Sequence, residues 1–460
     1  MAIISDIVTK QREFYLTNRT RDVRFRVEQL KLLKQNIIKY ESRIIEALNT
    51  DLHKSQFEAF TTEIGMVLSE LTFMINHVKK YARPTKVKTP IHQFPAKSII
   101  YHEPFGTVLI MSPWNYPVNL TLTPLVGAIA GGNTAVIKPS AYSASVSATI
   151  AELIKDTFEP EYVTVIQGGR AENQDLLKQH FDLIFFTGSP AVGKEVMAAA
   201  AANLTPVVLE LGGKSPAIID DSADMDLAAK RLMWGKTVNA GQTCVAPDYV
   251  FVSRRNAEVF LKKCIEQLHV LYPSQNGGEP DYSGMTHIIN DKHYKRLENL
   301  LKHSPIYYGG ECDASQRMIK PTLIYPAAES DEIMQSEIFG PILPVMVYDD
   351  MDEVAEFVCS RPRPLALYLF AEDKDVINRI MNNVPFGGGC VNDTIVHLAS
   401  DTLPFGGIGN SGMGRYHGKA SFDCFTCDKS VLNKSTKMDL PMRYPPYTEQ
   451  SLNLVKKFLK

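Results

Sequence analysis

The chain is poor in cysteine, carries no excess charge of either sign and contains no long apolar run. Each shortage excludes a class. The seven cysteines, at positions 244, 264, 312, 359, 390, 424 and 427, form an odd, scattered set within 460 residues. That is not the spacing of a disulfide framework, and a chain of this size needs no such staples, so they read as reduced thiols. Lys and Arg number 49 against 51 Asp and Glu, so no global positive field draws in nucleic acid or anionic lipid. No stretch reaches the roughly 18 uninterrupted apolar residues that a membrane-spanning helix needs. The opening MAIISDIVTKQREF meets Asp6 and Lys10 before a signal-peptide core has formed. Internal repeats and low-complexity segments are missing too. A cytoplasmic protein acting on a small molecule, with no nucleic-acid partner, is expected.

What is present is ordinary globular composition, 45% hydrophobic and 22% charged. The length exceeds the ~250 to 300 residues at which one core stops growing, so two domains are expected. From Val23 to about Ala82 apolar residues recur at helical spacing, most clearly Ile64, Val67, Leu71, Ile75 and Val78. The proline-bearing ARPTKVKTPIHQFPAKSIIYHEP then reads as an extended arm. After it, short β-rich runs alternate with helical stretches: VLIM at 108 to 111, AVI at 135 to 137, VTVI at 163 to 166, LIFF at 183 to 186 and VVLEL at 207 to 211. This is βαβ alternation, hence a Rossmann-like parallel sheet, and a second α/β lobe runs from Val250 to about Asn392. The fold class is therefore α/β. Open parallel sheets bind ligands beyond the carboxyl ends of their strands. Chemistry is expected at SPWN (112 to 115), KPS (138 to 140), TGS (187 to 189) and ELGG (210 to 213).

GSPAVGK at 188 to 194 has the Gly-x-x-x-x-Gly-Lys spacing of a P-loop, but residue 195 is Glu where magnesium needs Ser or Thr. Nucleotide hydrolysis is disfavoured, and a helix N-terminus facing a dinucleotide pyrophosphate is the better use of these glycines. Cys244, in NAGQTCVAPDY, lies in a polar loop, unlike Cys264 and Cys359 in helical patterns. A nucleophilic thiol needs access and neighbours that favour thiolate; from composition alone a lone Cys is more often inert. Glu210 follows an apolar run, a setting that raises a carboxyl pKa toward that of a general base, or else one satisfied by a helix N-terminus. The CxxC pair Cys424 and Cys427 has no second pair beside it, so a structural role and no metal site are expected. In the tail SLNLVKKFLK, Leu452, Val455 and Leu459 share one helical face, away from Lys456, Lys457 and Lys460. Packing on the protein's own body or a partner subunit is expected, ahead of weak peripheral membrane contact.

Taken together, PWNYP (113 to 117), IKPS (137 to 140), FTGS (186 to 189), LELGGKSP (209 to 216), GQTCVAP (241 to 247), EIFGP (337 to 341) and PFGG (404 to 407) resemble the aldehyde dehydrogenase superfamily, in the family's order. GQTCVAPDY and GNSGMGRYHGK followed by RYPP look like its class 3 branch, which includes fatty and aromatic aldehyde enzymes. The resemblance implies an NAD(P)-binding domain at 1–83 and 104–211 with the N-terminal helices, and a catalytic domain at 212–415. It also implies a bridging and oligomerisation arm at 84–103 and 428–445, a tail at 446–460, and a homodimer.

By the same resemblance Cys244 is the nucleophile, Asn115 the oxyanion donor, Glu210 the first general base and Glu337 the second. Lys138, Ser140, Gly188, Ser189, Leu211, Phe339 and Trp114 would hold the cofactor, with Glu337 at its nicotinamide ribose. The family often follows KPS with Glu, which repels a 2′-phosphate; here residue 141 is Ala. NAD use with NADP tolerated is expected. Tyr116, Leu120, Trp234 and His417 near the substrate point to an apolar aldehyde, medium or long-chain, aromatic, or isoprenoid and carotenoid-like. The alternatives are an acylating enzyme that passes the thioester to coenzyme A, which generally lacks the Glu210 base, and a non-catalytic binding protein of the same fold.

Overall fold

The computed structural model describes residues 2–274 and 277–459; Lys460 lies outside them. The first sheet has the order Gly412–Met413, Val207–Leu211, Leu183–Gly188, Thr107–Met111, Thr134–Lys138, Val163–Val165. Its neighbours are parallel except at Gly412–Met413, which runs antiparallel opposite Leu209 and Glu210. The apolar runs read from the sequence are these strands. From Thr107–Met111 the chain winds outward through Thr134–Lys138 and Val163–Val165, then crosses back to Leu183–Gly188. That reversal creates a crevice beyond the strand ends, next to Ser112 and Thr187.

The second sheet runs Ile306–Tyr308, Thr322–Ile324, Ile342–Tyr348, Tyr249–Ser253, Pro216–Ile219, Ala366–Phe370, Gly388–Val391, and only Ile306–Tyr308 is antiparallel. The chain re-enters the first sheet at Gly412–Met413, inside the 212–415 segment that the resemblance gives to the catalytic domain. A third, antiparallel sheet joins Thr85–Val87, Ala96–Pro104 and Thr426–Lys434, the last two paired from Thr426 opposite Pro104 to Lys434 opposite Ala96. The tail forms the helix Glu449–Phe458, whose Val455 borders a groove shared with Ile91, Phe94 and Leu432 of this arm, while Leu452 is half exposed. Among the described residues no helix is long and apolar enough to cross a membrane.

The N-terminal helix Val23–Leu52 is capped by Asp22, whose side chain accepts from Arg24 N–H, and buries Leu30, Leu33, Ile37, Ile44 and Leu48 along one stripe. The helix Asn119–Gly131 is buried on every side, which is why its sequence is apolar with no amphipathic pattern. Its N-terminus has no side-chain cap of its own. Glu63, on the π turn Phe60–Ile64, supplies one instead, accepting from the N–H groups of Val118 and Asn119 at 3.0 and 2.9 Å. The other carboxylate oxygen meets Lys54 Nζ at 2.6 Å, and both side chains are wholly buried. Removing one partner strands a buried charge, so Glu63→Ala is expected to cost about 3 to 5 kcal/mol. The joint replacement Lys54→Met with Glu63→Leu should recover part of the loss, read as urea midpoints by circular dichroism.

Candidate active site

A cleft opens at the reversal of the first sheet and is lined from both lobes. Thr107–Met111 ends in Pro113, Trp114 and Asn115; Leu183–Gly188 ends in Thr187, Gly188 and Ser189; Val207–Leu211 ends in Glu210, Leu211 and Gly212. The second lobe contributes Cys244, His293, Arg296, Ser336, Glu337 and Phe339. Ser189 caps the helix Pro190–Ala201, so that helix's N-terminus faces the cleft. Phe339 meets Trp114 edge-on at 5.4 Å between centroids, with His293 at 5.0 Å on the same indole. The apolar tunnel that meets the cleft is lined by Met66, Tyr116, Leu120, Trp234, Val238, Ile395, Phe405, Tyr416 and His417. Cys244 and Leu120 line both spaces.

Cys244 reaches that junction through a tight turn. Asn239, Ala240 and Gly241 are consecutive left-handed residues, with φ of 53°, 52° and 68°. At Gly241 a Cβ would lie 2.3 Å from the Gly340 carbonyl oxygen, so only glycine lets the two loops touch. Gln242, fully buried, holds the turn: its amide donates to the carbonyls of Asn239 and His287 and its oxygen accepts from Ile289 N–H. Asn115 Nδ2 donates to the Gln242 carbonyl at 3.0 Å, while the Asn115 carbonyl accepts from Lys54 Nζ and Asn239 Nδ2. One amide hydrogen of Asn115 remains available.

The electrostatics run against charge. Both oxygens of Glu210 and one of Glu337 are buried without a hydrogen-bond partner. Burial pushes the Glu210 carboxyl well above its usual range, opposed by Arg415. Burial, then Asp248, raises Glu337 to about 8, against the Gly213 N–H that binds it. Glu337 also leans over Gly212, where a Cβ would sit 2.0 Å from its Oε2. Burial first, then Glu337 and Glu210, pushes the Cys244 thiol up to about 12, with only the N–H groups of Cys244 and Val245 favouring thiolate. The pocket therefore does not favour thiolate: two carboxyls and low polarity hold the proton on sulfur. Alkylation of Cys244 by iodoacetamide, followed by mass spectrometry of its peptide, should accelerate about tenfold per pH unit between roughly pH 7 and 9. A rate already flat above neutrality would contradict this environment.

Of the residues singled out from sequence, Cys244, Glu210, Asn115, Glu337, Trp114, Gly188, Ser189, Leu211 and Phe339 meet in the cleft, and Tyr116, Leu120, Trp234 and His417 in the tunnel. Lys138 and Ser140 stand outside the cleft lining, at the end of the neighbouring strand. Lys138 Nζ donates to the carbonyls of Pro139 and Gly168, and the Ser140 hydroxyl accepts from Tyr142 N–H. Glu210 has no helix N-terminus to satisfy it. Cys264 and Cys359 both lie in helices as read, the first buried and the second exposed. Sequence reasoning missed His293 and Arg296. Their only signal is i, i+3 spacing on the helix Asp291–Lys302, which a solvated face shares.

The donor set fits a nicotinamide dinucleotide: a helix N-terminus for pyrophosphate, the orphaned Thr187 hydroxyl and Glu337 oxygen for hydroxyl groups, and aromatic faces at Trp114 and Phe339. Residues 4–431 match the aldehyde dehydrogenase family. The chain is 47% identical over 462 residues to the 4,4′-diaponeurosporen-aldehyde dehydrogenase of Staphylococcus aureus, covering the whole of both. It is 41% identical over 454 residues to mouse aldehyde dehydrogenase family 3 member A2, covering 98% of this chain and 93% of that protein. Among solved structures, the substrate-bound state of Staphylococcus aureus AldH superposes with a TM-score of 0.97 at 46% identity, all of both chains included. The chain thus belongs to the aldehyde dehydrogenase family, on its class 3 branch, and is an enzyme that oxidises aldehydes with NAD(P).

Proposed function

We propose that the enzyme oxidises an apolar aldehyde, medium or long-chain, aromatic or isoprenoid, to its carboxylic acid through a thioester on Cys244. The observation that carries this reading is that Cys244 lines both the polar cleft and the apolar tunnel. An aldehyde whose tail fills the tunnel presents its carbonyl carbon to Sγ. Its named relative acts on diaponeurosporen-aldehyde, a long apolar substrate in keeping with such a tunnel.

Sulfur adds to the carbonyl carbon as the thiol proton passes to a neighbouring carboxylate and from it to solvent. The resulting oxyanion takes hydrogen bonds from the free Asn115 amide hydrogen and the Cys244 N–H, each such donor worth about 3 kcal/mol in the transition state. NAD(P), held by Trp114, Gly188, Ser189, Glu337 and Phe339, would supply the acceptor for the hydride whose loss turns the adduct into the thioester. Glu210, with Glu337 second, then draws a proton from water, whose oxygen attacks the thioester; the acid is released and that proton passes to the leaving sulfur. A buried carboxyl with raised pKa suits this alternation of acid and base, and its presence argues for hydrolysis over acyl transfer to coenzyme A. Lys138 and Ser140 are assigned to the adenosine side of the cofactor. NAD serves with NADP tolerated, since Ala141 places no carboxylate against a 2′-phosphate. We assign the arm to a homodimer, because the strand Thr426–Lys434, paired on one side with Ala96–Pro104, leaves its other edge open.

Reduced-cofactor formation by the purified protein tests the reading. Turnover should vanish in Cys244→Ala, and kcat/KM should rise by up to about fourfold per methylene as the aldehyde lengthens, the equivalent of ~0.8 kcal/mol. No turnover with any aldehyde overturns it. Glu210→Gln should keep the first-turnover burst yet lose about 10² to 10⁴ in steady-state rate. Preference for NAD over NADP should stay below about a thousandfold, some 4 kcal/mol, and widen in Ala141→Glu.

A further inference from the structure

Glu337 follows the short turn Glu332–Met334 in a loop without regular backbone pairing, yet the peptides around it are held by charged side chains from three other elements. Lys214 Nζ donates to the carbonyls of Ile333 and Ser336 at 2.9 and 3.0 Å. Arg296 donates to the carbonyl of Ile338. Asp248 accepts from the N–H of Ile338 at 3.1 and 3.3 Å, and from Lys214 Nζ at 2.7 Å. While its neighbours are clamped, Glu337 keeps one carboxyl oxygen without a partner.

Asp248 is buried, and a second cation stands against it. Lys236 Nζ lies 3.7 Å from Asp248 Oδ1, its side chain 1% exposed and without a hydrogen bond. A buried ammonium with no hydrogen-bonded acceptor is costly, and burial lowers its pKa to about 8. Its placement is informative. Lys236 ends the helix Met225–Thr237 that leads into the left-handed turn before Cys244, and Asp248 stands four residues after Cys244. The pair therefore spans the nucleophile segment and joins it to the Glu337 loop.

We propose that Asp248, paired with Lys214 and Lys236, is a positioning residue for Glu337. By fixing the Ile338 peptide it keeps the Glu337 carboxyl over Gly212 and facing the cleft, and Lys236 ties that placement to the Cys244 segment. The inference rests on the reading in which Glu337 contacts the nicotinamide ribose. A merely structural Asp248 would affect stability and every ligand alike; a positioning Asp248 acts only through Glu337.

The test is a double-mutant cycle in the full-length protein with Asp248→Asn, which preserves shape and an acceptor for Lys214, and Glu337→Gln. NAD+ affinity is read by quenching of Trp114 fluorescence, with Trp234→Phe removing the other indole, and steady-state rates are read alongside. Asp248→Asn should weaken NAD+ binding on the order of 10-fold and lower kcat/KM for NAD+ by about 10- to 100-fold, with the aldehyde KM moving less than about threefold. Combined with Glu337→Gln it should add no further loss. Losses that multiply, or NAD+ and aldehyde parameters that fall together, overturn the inference. Lys236→Met enters the same cycle and replaces Asp248→Asn if that variant does not fold. An unchanged NAD+ affinity in Glu337→Gln overturns the ribose contact itself, a failure distinct from multiplying losses.

Discussion

The structure turns on the buried ion pair between Lys54 and Glu63. One end of it caps the wholly buried helix Asn119–Gly131, and the other reaches the Asn115 carbonyl. That carbonyl is also held by Asn239 from the second lobe. A single main-chain oxygen is thus fixed from the N-terminal helices and from the nucleophile turn, and the Asn115 side chain projects from it toward Gln242. Buried charges are retained at such cost where geometry must be unique. Here the geometry is the meeting of two lobes at one sulfur.

Around that sulfur the protein assembles acids without compensating them. Glu210, Glu337 and Cys244 all have proton affinities raised mainly by burial, so the cleft disfavours charge on each of them. Low polarity strengthens every later electrostatic interaction, and an oxyanion or a bound dinucleotide meets donors that are already in place. The family assignment and the apolar tunnel agree on an aldehyde as the substrate.

Much of this was legible in the chain. Five apolar runs became the five parallel strands of the first sheet, because fully buried parallel strands leave unbroken β-rich segments flanked by turn residues. Three of the four motifs read at the strand ends line the cleft, because an open sheet exposes its ligands' crevice there. Lys138 and Ser140, at the fourth, lie one strand further out and turn their polar atoms to local backbone. The return of Gly412–Met413 to the first sheet left no trace in periodicity, since two residues carry no period. Exposure of Cys359 was equally hidden: a helical pattern says which residues share a face, and only packing says how far that face extends.

By itself the sequence determined the α/β class, the order of its strands along the chain and the residue types able to perform thiol and carboxyl chemistry, because periodicity and local composition are properties of neighbours in the chain. Only the tertiary structure decided that Glu63 caps a helix begun 56 residues later, that Asp248 and Lys214 converge on the Glu337 loop, and that Cys244 stands where cleft and tunnel join. Those arrangements depend on burial and on contacts between distant segments. The same side chains exposed to water would bind one another weakly.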